Sequence, residues 1–323
     1  MAEMVLAIGT SHMPGLNQPV EHWFTRAESD RRHIEAHGLG DYAQLSREKA
    51  SWIADEITEE RIRERYTACQ RALAMLAEVL ADARPDVIVV VGDDHREVFS
   101  ADHMPAVDVH WADEICVPPF GGRRAGAASG AGASDRPDGD HLYPSAPELA
   151  QHLIRSLTAA DFDLAYSRTL GPEGLGHAFD FVCRRVMEER RIPLVPLLLN
   201  TYYPPNRPTA QRCYALGKAL SHAIASWPAE RRVAIIGTGG LTHHVIDEQM
   251  DRSILAAMAR KDEAGVTGYP EELFVDGTSE IKAWMVVAGA MEADDRQMQL
   301  VEYQPCYRSP AGTGCGNGFA YWA

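Results

Sequence analysis

The feature that most constrains this chain is a pattern that occurs twice. Residues 5–14 read VLAIGTSHMP: an apolar run, a glycine and then His12. Residues 86–95 read DVIVVVGDDH and close in the same way on His95. A short, continuously apolar run is the mark of a strand buried on both faces, as in a parallel sheet. Residues just past its end stand on the rim, where open α/β sheets bind their ligands. Two imidazoles brought to that rim from distant parts of the chain suggest a metal site built by the fold.

The segment between the two patterns supports this. Residues 57–83 read as one long amphipathic helix, with Ile62, Tyr66, Cys69, Leu73, Leu76 and Leu80 as its apolar stripe. Pro85 stops it and a strand follows at 87–91, giving the βαβ unit of a parallel sheet. Further strands are predicted at 107–110, 193–199, 233–236 and 298–304. Helices are predicted at 147–158, 178–189, 209–226, 248–261 and 280–292. The expected fold is α/β, with a mostly parallel central sheet flanked by helices in a single domain over 1–323. Residues 121–140, rich in Gly, Ala and Ser, read as a flexible loop. The tail is glycine-rich but ends in aromatics, so it is expected to pack down. The strand-end clusters SHMP, DDH, NTYY and TGGLTHH are expected to be neighbours in space.

The formal charge of -15 makes nucleic acid an unsuitable partner, since such a field repels phosphate backbones. No apolar stretch approaches the roughly 20 residues of a spanning helix, so no membrane is expected. No basic segment precedes the first apolar run, so no signal peptide is expected. The six cysteines form no C-x-x-C pair, so no zinc knuckle or thioredoxin motif is indicated; several lie in helical or strand-like segments, where a thiol acts as a small apolar residue, and a reducing cytoplasm is expected.

There are 13 histidines, too many for all to act as ligands. His22, His33, His37, His103, His152 and His222 lie in polar or helical contexts and read as surface or hydrogen-bonded residues. His12 and His95 differ because they follow strand ends. His177, in GPEGLGHAF, enters a helix from a glycine-bounded loop, which suits proton transfer. His243 and His244 follow a strand through a glycine pair. Glu280 opens a helix and reads either as a capping carboxylate or as a third ligand. Asp93, Asp94 and Asp247 compete for that role. Two imidazoles and one carboxylate fit a ferrous ion that activates oxygen, and equally a hydrolytic zinc.

Taken in order, GTSHMP, GDDH, GLGH, GTGGLTHH and GTSEIKAW resemble the class III (LigB-type) extradiol ring-cleavage dioxygenases. The resemblance is nearest to protocatechuate 4,5-dioxygenase catalytic subunits and to gallate and 3-O-methylgallate dioxygenases. It implies Fe(II) held by His12, His95 and Glu280, with His177 as the acid/base group. It implies O2 and a catechol-type aromatic as substrates, the aromatic contacted by His243, Tyr202, Tyr203 and Arg207. A second pocket histidine of many members has His110 or His141 as its counterpart here. The family further implies a homodimer, and no small helical partner domain is recognisable. The competing readings are a zinc hydrolase on the same triad and a non-catalytic, Memo-like binding protein.

Overall fold

The structure is a computed structural model and describes residues 1–118, 142–170 and 174–323. The loop expected at 121–140 and His141 lie outside the described residues. Eleven strands occur among those residues, in chain order β1 (Glu3–Thr10), β2 (Val87–Asp93), β3 (Val107–His110), β4 (Glu114–Cys116), β5 (Leu142–Pro144), β6 (Ala165–Ser167), β7 (Leu194–Leu199), β8 (Arg232–Thr238), β9 (His243–Val245), β10 (Met298–Tyr307) and β11 (Thr313–Trp322). The main sheet runs β10-β11-β1-β8-β2-β7-β3-β6, with β9 on β11; β4 and β5 form a separate pair.

The four central strands β1, β8, β2 and β7 are mutually parallel. Their alternation shows why the runs are apolar throughout. Val87, Val89 and Val91 face one core cluster with Val195, Leu197, Val233 and Ile235. Ile88 and Val90 face the other with Leu6, Ile8, Ala234 and Ile236. Each face is covered by helices, so each side chain along the strand must be apolar.

Eleven α-helices are assigned among the described residues: α1 (Glu21–Phe24), α2 (Ala27–His37), α3 (Tyr42–Lys49), α4 (Ile53–Glu56), α5 (Glu59–Ala83), α6 (Pro147–Ala159), α7 (His177–Phe181), α8 (Ala210–Ser226), α9 (Glu248–Ala259), α10 (Glu263–Thr267) and α11 (Ile281–Ala290). The Thr58 hydroxyl caps α5 by accepting from the Arg61 N–H at 3.2 Å. At its far end Arg84 turns left-handed with φ 42°. Helices α8 and α11 touch backbone to backbone. A Cβ on Gly217 would meet the Val286 carbonyl, and one on Gly289 would meet that of Tyr214.

Three departures from the sequence expectation have physical reasons. The tail does more than pack down, because β11 is inserted between β10 and β1. Its glycines fit there because neighbours fill their side-chain space: Asp251 at Gly316, and Leu241 and Trp284 at Gly318. The strand at 107–110 is antiparallel to β7, so His110 is carried away from the rim. It pairs instead with the Ser167 hydroxyl at 3.0 Å. The helix expected at 178–189 is shorter: α7 gives way to a π-helical turn over Val182–Val186.

Candidate metal centre

The parallel strands end at one rim, and each delivers a polar group to it. His12 follows β1 and its Nδ1 lies 3.0 Å from the Thr238 hydroxyl at the end of β8. That contact turns Nε2 inward. Asp93 is the last residue of β2, and His95 lies two residues beyond. Glu280 ends a 3-10 turn over Asp276–Glu280 that leads into α11. Gly240, after β8, donates its N–H to Glu280 Oε2 at 2.8 Å. A side chain on Gly239 would collide with the Glu280 backbone, so this close approach requires glycine. Trp284, one turn into α11, donates to the Gly239 carbonyl at 2.8 Å and packs its ring over Gly9.

These groups converge. His12 Nε2 lies 3.3 Å from Glu280 Oε2 and 3.7 Å from Asp93 Oδ1. His95 Nε2 lies 2.5 Å from Asp93 Oδ2 and 3.6 Å from Glu280 Oε1. His12, Asp93 and Glu280 are almost fully buried, whereas the His95 side chain is 29% exposed and forms the open side. His12 Nε2, His95 Nε2 and both Asp93 oxygens are nevertheless without a directed hydrogen bond among the described residues. Buried polar atoms of this kind are normally satisfied. Their ligand atoms fall into two groups that share Asp93, one with His95 and Glu280 and one with His12 and His177, the atoms of each group within 4.8 Å of one another; unsatisfied donors gathered in this way suit a cation. Two imidazoles and a carboxylate, with a second carboxylate beside them, therefore fit a divalent transition metal by donor type and by lack of other partners.

The charge balance agrees. Burial opposes ionisation of Glu280, but His243, His12 and His95 outweigh it and hold its pKa well below the carboxylate range. Burial likewise opposes charge on His95, and Asp93 with Glu280 overcomes this, raising it to about 10.

His177 opens α7, and its ring lies 4.8 Å from that of His12 and 4.7 Å from that of His95. Glu97 accepts from its backbone N–H at 3.1 Å and faces its Nδ1 at 2.9 Å. A side chain on Gly176 would occupy the place of the Glu97 carboxylate, which explains the glycine before this histidine. Burial opposes ionisation of Glu97, but His177 prevails and lowers it to about 2.

Other expected site residues divide by position. His243 Nε2 lies 3.5 Å from Glu280 Oε2, beside the cluster. Tyr202 follows β7 and stands 4.5 Å from the His95 ring, with Tyr203 5.3 Å further on. The Arg207 guanidinium donates to the Phe274 carbonyl at 3.2 Å. Of the competing aspartates, Asp93 lies in the cluster. Asp94 instead accepts the N–H groups of Glu97, Val98 and Phe99, and Asp247 caps α9 through Met250. Glu97 was not expected: nothing in HREVF distinguishes it from a surface glutamate.

The family profile described as the catalytic LigB subunit of aromatic ring-opening dioxygenase matches residues 58–314. The chain belongs to the LigB family. The matched span of this LigB chain contains Asp93, His95, His177 and Glu280, while His12 enters from the segment before it. Gallate dioxygenase from Pseudomonas putida is 30% identical over 171 residues, 49% of this chain and 49% of that protein. A 2,3-dihydroxyphenylpropionate/2,3-dihydroxicinnamic acid 1,2-dioxygenase from Comamonas testosteroni is 29% identical over 182 residues, 54% of this chain and 49% of that protein. The chain spans about half the length of the curated relatives it matches. An uncharacterized protein from Escherichia coli K12 superposes with TM-score 0.49 at 14% identity, covering 79% of this chain and 92% of that one. No helix among the described residues is long and apolar enough to cross a membrane.

Proposed function

We propose that this LigB chain is a non-haem Fe(II) extradiol dioxygenase that opens the ring of a catechol-type aromatic with both atoms of O2. The observation that carries the reading is the meeting of His12, His95, Asp93 and Glu280 at the sheet rim, with His12 Nε2, His95 Nε2 and both Asp93 oxygens lacking hydrogen-bond partners among the described residues, beside a histidine braced by Glu97. His12, His95 and Glu280 are the proposed ligands. Bound there, ferrous iron would supply Lewis acidity toward the ring hydroxyls and the redox chemistry that O2 requires.

The remaining work falls to side chains. His177 takes a ring-hydroxyl proton at Nε2, the nitrogen turned away from Glu97. The Glu97 carboxylate steadies the resulting imidazolium, so the proton is held close and can return to a substrate oxygen. Burial lowers the basicity of His177, yet the charge of Glu97 raises it overall, as a residue that first accepts and then donates requires. Tyr202 walls the open side at His95 and orients the ring. His243 contacts the substrate from the Glu280 side.

Gallate and 2,3-dihydroxyphenylpropionate, named in the relatives, are aromatic carboxylates with adjacent hydroxyls. They support a carboxylated catechol here: gallate, 3-O-methylgallate, protocatechuate or a biaryl catechol. Tyr203, whose ring lies 4.2 Å beneath the Arg96 guanidinium, and Arg207 are the proposed contacts to the carboxylate side. The reading also includes a homodimer in the cytoplasm.

The test is anaerobic loading with Fe(II), followed by oxygen-electrode traces with each of these substrates. Oxygen uptake matched by a ring-opened chromophore supports the proposal. Stoichiometric iron without uptake on any of them overturns it and directs attention to zinc chemistry.

A further inference from the structure

A second group of imidazoles lies on the outside of the turn that delivers Glu280. His33 and His37 are one turn apart on α2, a spacing that puts both on one helix face. Their rings stack at 4.0 Å and 21°. His244 stacks on the other side of His33, at 4.0 Å and 13°. Asp276, the first residue of the 3-10 turn, faces both: Oδ2 lies 2.8 Å from His33 Nε2, and Oδ1 lies 3.2 Å from His244 Nε2.

We propose that His33, His37 and Asp276 form a second divalent-metal site, for a zinc-class ion, linking α2 to the turn that carries Glu280. Three observations converge. One ligand atom from each of the three residues lies within 4.8 Å of the others. The tautomer of His37 is fixed: its Nδ1 lies 3.0 Å from the His33 carbonyl, which only accepts, so Nδ1 carries the proton and Nε2 presents a lone pair. A ligating histidine that gives its other N–H to a backbone carbonyl is the usual arrangement at protein metal sites. Asp276 is held by donors on its second oxygen, the Gly277 N–H at 2.9 Å and His244, so Oδ2 remains directed at the site.

Two imidazoles and a carboxylate suit zinc, leaving a fourth position for water. Loading shifts the ring proton of neutral His33 from Nε2 to Nδ1 by exchange with solvent, and the ion takes the freed Nε2 lone pair. His37 is exposed, so the ion reaches the site from solvent without unfolding. The site is distinct from the inner centre: it uses no residue of that cluster and holds the start of the turn rather than its end.

The test is calorimetric titration of chelator-stripped, full-length protein with Zn2+, with bound metal counted after gel filtration. Wild type is expected to take up two equivalents and His37→Ala one, both with the same circular dichroism. His244→Ala, which removes the hydrogen bond to Asp276 Oδ1 and the ring stacked on His33 but no ligand, is expected to weaken the outer equivalent about 10-fold. In a His12→Ala background the outer equivalent persists, and adding His37→Ala removes it. Equal zinc stoichiometry in wild type and His37→Ala overturns the proposal, whatever happens at the inner cluster. A single wild-type equivalent that His12→Ala abolishes overturns it as well.

Discussion

Glu97 holds His177 at two points, accepting from its backbone N–H at 3.1 Å and facing its ring Nδ1 at 2.9 Å. The first bond fixes the start of α7 and the second fixes the ring. Together they set which nitrogen faces the cluster. A carboxylate in this position also favours the protonated imidazole.

This pairing separates two variants. His177→Ala is expected to keep its metal and lose about 10²–10⁴ in kcat, the usual range for a general acid/base group. Glu97→Gln keeps a ring partner but loses the charge. It is expected to lose less in kcat and to shift the acidic limb of the kcat profile to lower pH, because the imidazolium is no longer favoured. Steady-state rates from pH 5 to 9 check this. An unchanged profile in Glu97→Gln would show that the carboxylate is only a structural brace.

The inner cluster makes a prediction about metal content. Glu280→Gln removes a charged donor, leaving Asp93 as the cluster carboxylate. Iron content after anaerobic loading is expected to fall at least about tenfold, the lower end of effects seen even for groups behind the ligands. Asp93→Asn is expected to weaken binding too, since both of its oxygens face the cluster without other bonds. Elemental analysis of desalted protein decides the matter. Full iron in Glu280→Gln would sink its assignment as a ligand.

The contact between α8 and α11 predicts a coupled loss of stability and activity. Gly217→Ala or Gly289→Ala places a methyl group against a facing carbonyl and pushes the helices apart. Overpacking of this kind costs about 1–3 kcal/mol. Because Glu280 directly precedes α11, metal affinity should fall along with Tm. Thermal melts with and without iron test this. A variant that melts lower but binds iron normally would uncouple the helix contact from the site.

Asp251 gives a pH-dependent test. It lies beneath the TGGLTHH turn, accepting from the Thr242 N–H and hydroxyl at 2.9 Å each and from the Tyr303 hydroxyl at 2.7 Å. Burial raises its pKa to about 6 despite these bonds, above the ordinary aspartate value of about 3.9. Between those values the folded chain holds a proton that the unfolded chain has lost. The contribution is therefore complete below about pH 4 and is lost as pH rises through 6, a change of about 3 kcal/mol. Asp251→Asn should remove that slope and so compare better with wild type at pH 7 than at pH 4. Urea unfolding at both pH values measures it, and an identical difference at the two would refute the assignment.

Much of this was legible in the sequence because the central strands carry their address locally. An apolar run ending in glycine and histidine fixes both the strand and the rim position of His12 and His95. The same logic placed Tyr202 and His243 as neighbours of the cluster. β11 was not legible, because its glycines depend on side chains from Asp251, Leu241 and Trp284, which no local pattern displays. That Asp93 turns into the cluster while Asp94, equally buried, turns to the backbone of Glu97 to Phe99 depends on a one-residue alternation at the end of β2. Glu97 and the His33–His37 pair read as ordinary surface residues until Gly176 and Asp276 are seen against them.

His12 and Thr238 are 226 residues apart in sequence, yet a single 3.0 Å contact sets the aim of the imidazole. The inner site thus exists only when β1, β2, β8 and the start of α11 have all docked. A partly assembled chain offers an ion isolated donors instead of a cage. A bound metal would then stabilise only the finished fold, by about 2.7 kcal/mol when free metal is 100 times the dissociation constant. Scarcity of the metal would consequently shorten the lifetime of the fold against proteases.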